Sequence, residues 1–183
     1  MLITISGVPG SGKTTVAKLL AERLGLPHVY AGDLYRREAK RRGLTLEAFN
    51  ELAERDHSID RQLDADMAAR ARQGDVVLEG RLAGYLAAQD RLDALKVWLD
   101  ASDEVRARRV AQREARDWHE VLEVNRVRHH SDATRYQAIY GFDLADTAVY
   151  DVVLNTDYST PESLVEELTA RAQARFGTDG HHP

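Results

Sequence analysis

The stretch Gly7-Val8-Pro9-Gly10-Ser11-Gly12-Lys13-Thr14 constrains this chain more than any other. Glycines spaced in this way free the backbone of Cβ clashes, so its N–H groups can curl around an anion. Leu2 to Ser6 ahead of it is apolar and β-branched, which predicts a buried strand. Thr15 to Leu24 behind it carries Val16, Ala17, Leu19, Leu20 and Leu24, which predicts a helix with one apolar stripe. Strand, G-x-x-x-x-G-K-T and helix in register predict a phosphate-binding P-loop over Gly7 to Thr15. The helix adds free N–H groups and the positive end of its dipole. Lys13 is expected to reach the β- and γ-phosphates of a nucleoside triphosphate, and the Thr14 hydroxyl to hold Mg²⁺.

Further strands are predicted at 27–30, 76–78, 95–99 and 152–154, with helical stretches between them. Asp33 is the expected N-cap of the helix after the second strand. Thr45 and Ser58 mark two further helix starts, Ser102 another, and Thr160-Pro161-Glu162 opens a last helix. Gly177 to Pro183 is expected to fray. This alternation predicts an α/β fold, a three-layer sandwich around a five-stranded parallel sheet, in a single domain spanning 1–183. Ligands in such sheets sit beyond the carboxyl ends of the strands. The residues there are the P-loop, Gly32-Asp33, Glu79-Gly80-Arg81, Asp100 and Asn155-Thr156.

Composition removes several classes. A net charge of −5 argues against a nucleic-acid binder, and no apolar run reaches the length of a membrane span. The absence of cysteine excludes disulfides and thiolate metal sites and suits a reducing compartment, so the cytoplasm is the expected location. Met1 leads straight into the first strand, so no signal peptide is expected. Of the 25 basic residues only Lys13, Lys18, Lys40 and Lys96 are lysines. The excess of arginine reflects base composition in part, but arginine is also the residue that clamps phosphate through two parallel hydrogen bonds.

Placement favours the second reading at certain positions. Arg36, one helical turn from Asp33, and Arg81 follow the second and third strands and project toward the cleft of the P-loop. Arg109, Arg113 and Arg116 share one helical face, and Arg126, Arg128 and Arg135 follow among acids. Some of these form solvated ion pairs. The segment is too polar to be core throughout, and an arginine-bearing hairpin beside a P-loop is what a closing lid requires. An acceptor that is itself a phosphate needs no general base, only cations to offset the repulsion of two anions. None stands out: Asp33 and Glu79 are the candidates, and His57, His119, His129 and His130 are read as solvated.

These residues resemble the nucleoside monophosphate kinases. The similarity lies in the P-loop, Ala-Gly-Asp-Leu-Tyr-Arg at 31–36, Glu-Gly-Arg at 79–81 and Arg-Val-Ala-Gln-Arg at 109–113. Within that family the chain is similar to the short archaeal-type cytidylate kinases, a likeness that continues through Ser131–Tyr140, Gly141-Phe142-Asp143 and Tyr150–Thr156. The resemblance implies a kinase that uses Mg-ATP to phosphorylate CMP and dCMP, acting on small nucleotides as a monomer. It implies an acceptor region at about 34–73 and a lid at about 114–137. It carries Arg36 and Arg81 over as acceptor-phosphate ligands, and Arg109 and Arg113 as lid-hinge arginines near the donor. Arg128 and Arg135 become phosphate clamps, Asn155 and Thr156 the neighbours of the donor adenine, and Asp33 and Glu79 holders of magnesium-bound water. Asp56, Asp60 and Asp64 are the candidates for the cytosine amino group. The contiguous Glu-Gly-Arg departs from the longer adenylate kinase pattern, which has Asp and a Phe-Pro pair, and Val8 stands where proline is common. Kinases for UMP, dTMP, AMP or shikimate, and a P-loop ATPase switch, are the alternatives.

Overall fold

The computed structural model describes residues 1–177, so the expected frayed tail lies outside the described residues beyond Gly177. Five parallel strands lie in the order β2-β3-β1-β4-β5, where β1 is Leu2–Gly7, β2 His28–Tyr30, β3 Val76–Glu79, β4 Leu95–Asp100 and β5 Val152–Asn155. The first strand is central and wholly buried, as its unbroken apolar run implies. Alternate residues then feed two cores. Ile3, Ile5, Val77, Val97, Leu99 and Val152 face helices α1 (Lys13–Leu24) and α8 (Pro161–Phe176). Leu2, Val76, Leu78 and Trp98 face the opposite way, toward α4 (Ser58–Arg72) and α5 (Ala83–Gln89).

Two helical groups stand off the sheet. Helices α2 (Ala31–Arg41) and α3 (Leu46–Arg55) join α4 in a group with a small core of its own, Ala39, Phe49, Ala53 and Ile59. Helices α6 (Asp103–Glu114) and α7 (Trp118–Tyr140) form a hairpin around Ala107, Val110, Ala111 and Val121.

The helix starts agree with sequence at Thr45 and Thr160, whose side chains accept from the Ala48 and Ser163 N–H groups. Asp33 is not an N-cap. The chain passes from β2 into α2 without a linking residue, Tyr30 occupies the cap position, and Asp33 falls in the first turn. Ser58 opens α4 without capping it, because Asp56 accepts its N–H. Arg116 does not share a face with Arg109 and Arg113: Ala115, at φ 52°, ends α6, and Asp117 caps α7 by accepting from His119 and Glu120.

Candidate active site

The loop between β1 and α1 is shaped for an anion. Gly10, at φ 81°, passes so close to α6 that a Cβ would lie 2.7 Å from the Arg106 carbonyl oxygen. Gly12, at φ 86°, caps α1 with no side-chain hydrogen bond, which leaves the first-turn N–H groups free for a ligand. The Lys13 ammonium donates to the Val8 carbonyl at 3.2 Å. Burial, then Arg81, and to a lesser extent Arg128 and Arg106 bring its pKa down to about 7, against the opposing pull of Glu79. Around this lysine positive neighbours outnumber the one carboxylate that acts on it.

Glu79 ends β3 with no exposed surface. Its Oε1 accepts the Thr14 hydroxyl at 2.5 Å, and its Oε2 lies 3.0 Å from His28 Nε2. Two hard oxygen donors side by side at the mouth of the P-loop fit a magnesium ion that keeps most of its waters and takes its other ligands from phosphate. Asp33 is turned elsewhere, accepting from Arg36 at 2.5 Å in an exposed pair.

Arg81 follows Glu79 and is buried against Asp132 of α7. Burial and then Arg128 and Arg135 lower its pKa to about 9. Asp132 also accepts from Arg135 at 3.0 Å, and Arg135 Nε lies 3.1 Å from Asp60 of α4. Asp60 is therefore already committed to an arginine. Arg128, on the same helix face, acts on both Lys13 and Arg81 and forms no ion pair among the described residues.

Arg109 ties the far side together. It donates to the Thr156 hydroxyl at 2.9 Å, to the Thr156 carbonyl at 2.7 Å and to the Gly10 carbonyl at 3.5 Å, and the Thr156 hydroxyl donates to Ser11 at 3.0 Å. The end of β5 and the P-loop are thus one unit, with Asn155 at its edge bracing the turn to Asp157.

The fold therefore brings Lys13, Thr14, Glu79, Arg81, Arg128 and Arg135 toward one cleft. It does not bring Arg113, which is exposed and paired with Glu114. Arg36 is half-exposed, its guanidinium 5.0 Å from the centre of the Tyr30 ring. Sequence reasoning placed Arg106 only in the arginine row and missed that it donates to the Pro9 carbonyl beneath the loop, and it missed His28 and Asp132. Asp132 lies one turn from both Arg128 and Arg135, a spacing that could have flagged it. His129, read as solvated, is partly buried, and burial first and then Arg81 and Arg106 lower its pKa.

The family described as cytidylate kinase-like matches residues 2–158. A cytidylate kinase of Methanopyrus kandleri is 47% identical over 163 residues, 85% of this chain and 84% of its own. Another, of Haloquadratum walsbyi, is 46% identical over 177 residues, 96% of this chain and 91% of its own. A solved shikimate kinase of Bacteroides thetaiotaomicron covers 94% of this chain and 98% of its own with a TM-score of 0.56 and 19% identity, a likeness of fold alone.

Proposed function

The chain belongs to the cytidylate kinase-like family, and from that premise we propose that it transfers the γ-phosphoryl group of ATP to CMP and dCMP in line, in a single step. The bond from the γ-phosphorus to the oxygen bridging it to the β-phosphate breaks as a bond to an acceptor phosphate oxygen forms, giving ADP and the diphosphate. The acceptor oxygen is already ionised, so no proton has to be removed. The observation that carries this reading is that Lys13 and Arg81 lie together beside the P-loop, with Arg128 on the exposed face of α7 close enough to act on both. Glu79 and Asp132 meet part of that positive charge, and the remainder suits an entering polyanion.

The roles divide by position. The P-loop from Gly7 to Thr15 wraps the donor phosphates, with Lys13 on the β- and γ-oxygens. Arg81, with Arg36 at the outer edge, holds the acceptor phosphate. Arg128 comes down from the hairpin, which acts as the lid, while α2 to α4 form the acceptor region. Arg109 keeps Thr156 against the loop and so fixes the donor's seat. Thr14 and Glu79 would hold magnesium through its waters, and the ion would supply positive charge to the transferring phosphoryl group.

The active unit in this reading is a monomer acting on small nucleotides in the cytoplasm. Among the described residues no helix is long and apolar enough to cross a membrane. Incubation with Mg-ATP and CMP, resolved by ³¹P NMR, tests the reaction. CDP and ADP should form in equal amounts without free phosphate. Phosphate release without CDP would reject transfer in favour of hydrolysis.

A further inference from the structure

We propose that His28 is a positioning residue for the magnesium-facing carboxylate of Glu79. Neither the P-loop nor the arginines need a histidine on the second strand, and the sequence does not mark it. Strand register supplies the reason for its place. His28 pairs with Val77 and Tyr30 with Glu79, so all four side chains share the sheet face that packs on α1. This is the face that carries Thr14.

The two oxygens of Glu79 consequently take different partners. Oε1 accepts from the first turn of α1 through Thr14 at 2.5 Å, while Oε2 meets His28 Nε2 at 3.0 Å across the edge of the sheet. The carboxylate is fully buried and the His28 side chain is only 16% exposed, so water does not replace this contact freely. The terminal torsion of a glutamate is broad and would let a carboxylate held at one oxygen swing. Held at both, it presents a fixed edge to whatever sits beside Thr14. A neutral imidazole with its proton on Nε2 is enough, so the role does not depend on titration. The Tyr30 ring, roughly parallel at a centroid distance of 6.3 Å, flanks the imidazole on the same face.

This inference rests on the reading that Glu79 holds magnesium-bound water, and its test separates the two. ATP binding is measured by calorimetry with excess EDTA and with saturating Mg²⁺, and the Mg²⁺ concentration for half-maximal turnover is measured at fixed ATP. His28→Phe keeps the ring volume without the donor, and His28→Gln restores an N–H of similar reach. His28→Phe should raise the magnesium requirement about tenfold, as loss of an outer-shell partner does. ATP affinity in EDTA should stay within about twofold, because the P-loop is untouched. His28→Gln should return the requirement toward wild type. His28→Leu serves as the donor-free variant if the melting temperature shows that His28→Phe does not fold. An unchanged requirement in the donor-free variant, or an equal loss of ATP affinity with and without Mg²⁺, would overturn the proposal. Glu79→Gln run in parallel decides which idea has failed. If it raises the requirement while His28→Phe does not, only the role of His28 is lost. If it changes nothing, the reading of Glu79 falls and the proposal with it.

Discussion

Lys13 is held beside Arg81, Arg106 and Arg128 in a buried setting, and its pKa of about 7 lies well below the ordinary 10.5. Donor phosphates reverse this by adding negative charge next to the ammonium. Above pH 7 the free protein gives up the Lys13 proton more readily than the ATP complex does, so binding at pH 8 should take up protons. ATP affinity accordingly falls as pH rises above 7. Calorimetry in buffers of different ionisation enthalpy measures the uptake, and Lys13→Met should abolish it. No dependence on buffer would contradict the account of this cleft. The arginines separate in the same way. Arg128→Ala should lower kcat by about 10²–10³, the effect of removing one preorganised cation from a phosphoryl-transfer site. Arg113→Ala should stay within about twofold, since an exposed ion pair contributes little. Sequence spacing placed Arg113 on one helical face with Arg109 and left Arg128 among acids, so it favoured the wrong one of the two. Only the place of α7 beside the loop after β3, where Asp132 meets Arg81, distinguishes them, and that depends on a turn at Ala115 that no residue type announces.

Helix α7 is the element that joins the two helical groups. Ser131 donates to Glu54 of α3 at 2.5 Å, Arg135 pairs with Asp60 of α4, and the Tyr140 hydroxyl donates to Asp64 at 2.6 Å. Removing one member of the buried pair strands the other. Arg135→Met should cost about 3–5 kcal/mol of stability in urea unfolding at pH 7, and Asp60→Leu added to it should recover part of that loss. Asp64 behaves differently. Burial is the main reason that its pKa rises to about 6 from 3.8, so the folded state holds this proton more tightly than the unfolded chain. The contribution is complete below pH 4 and is lost as pH rises through 6. Asp64→Asn keeps an acceptor for Tyr140 and should raise the melting temperature at pH 7.5 more than at pH 4.5. An equal change at both values would contradict it. The helices themselves were legible from their caps and periodicity, at Thr45, Thr160 and the arginine row. The cross-helix pairs were not, because residues 54 and 131, or 60 and 135, are related by nothing in the chain.

At the scale of the whole molecule, the strand order places β1 and β3 side by side, so the P-loop and Glu79-Gly80-Arg81 open into one cleft. The five strands could be read from apolar runs, and the reading that ligands sit at their carboxyl ends followed from parallel alternation. The pairing of His28 with Glu79 could not, since it requires the register of an edge strand of three residues. Base recognition is also beyond spacing alone. Of the candidates for cytosine, Asp60 is engaged by Arg135 and Asp64 by Tyr140, and the acceptor preference is read from turnover. The direct test is ADP release from Mg-ATP with CMP, dCMP, UMP, AMP, GMP and dTMP, each against a control without acceptor. The account predicts strong turnover on CMP and dCMP, little on the other four, and its loss in Arg81→Ala. Turnover favouring another monophosphate, or ATP hydrolysis indifferent to every acceptor, would contradict it.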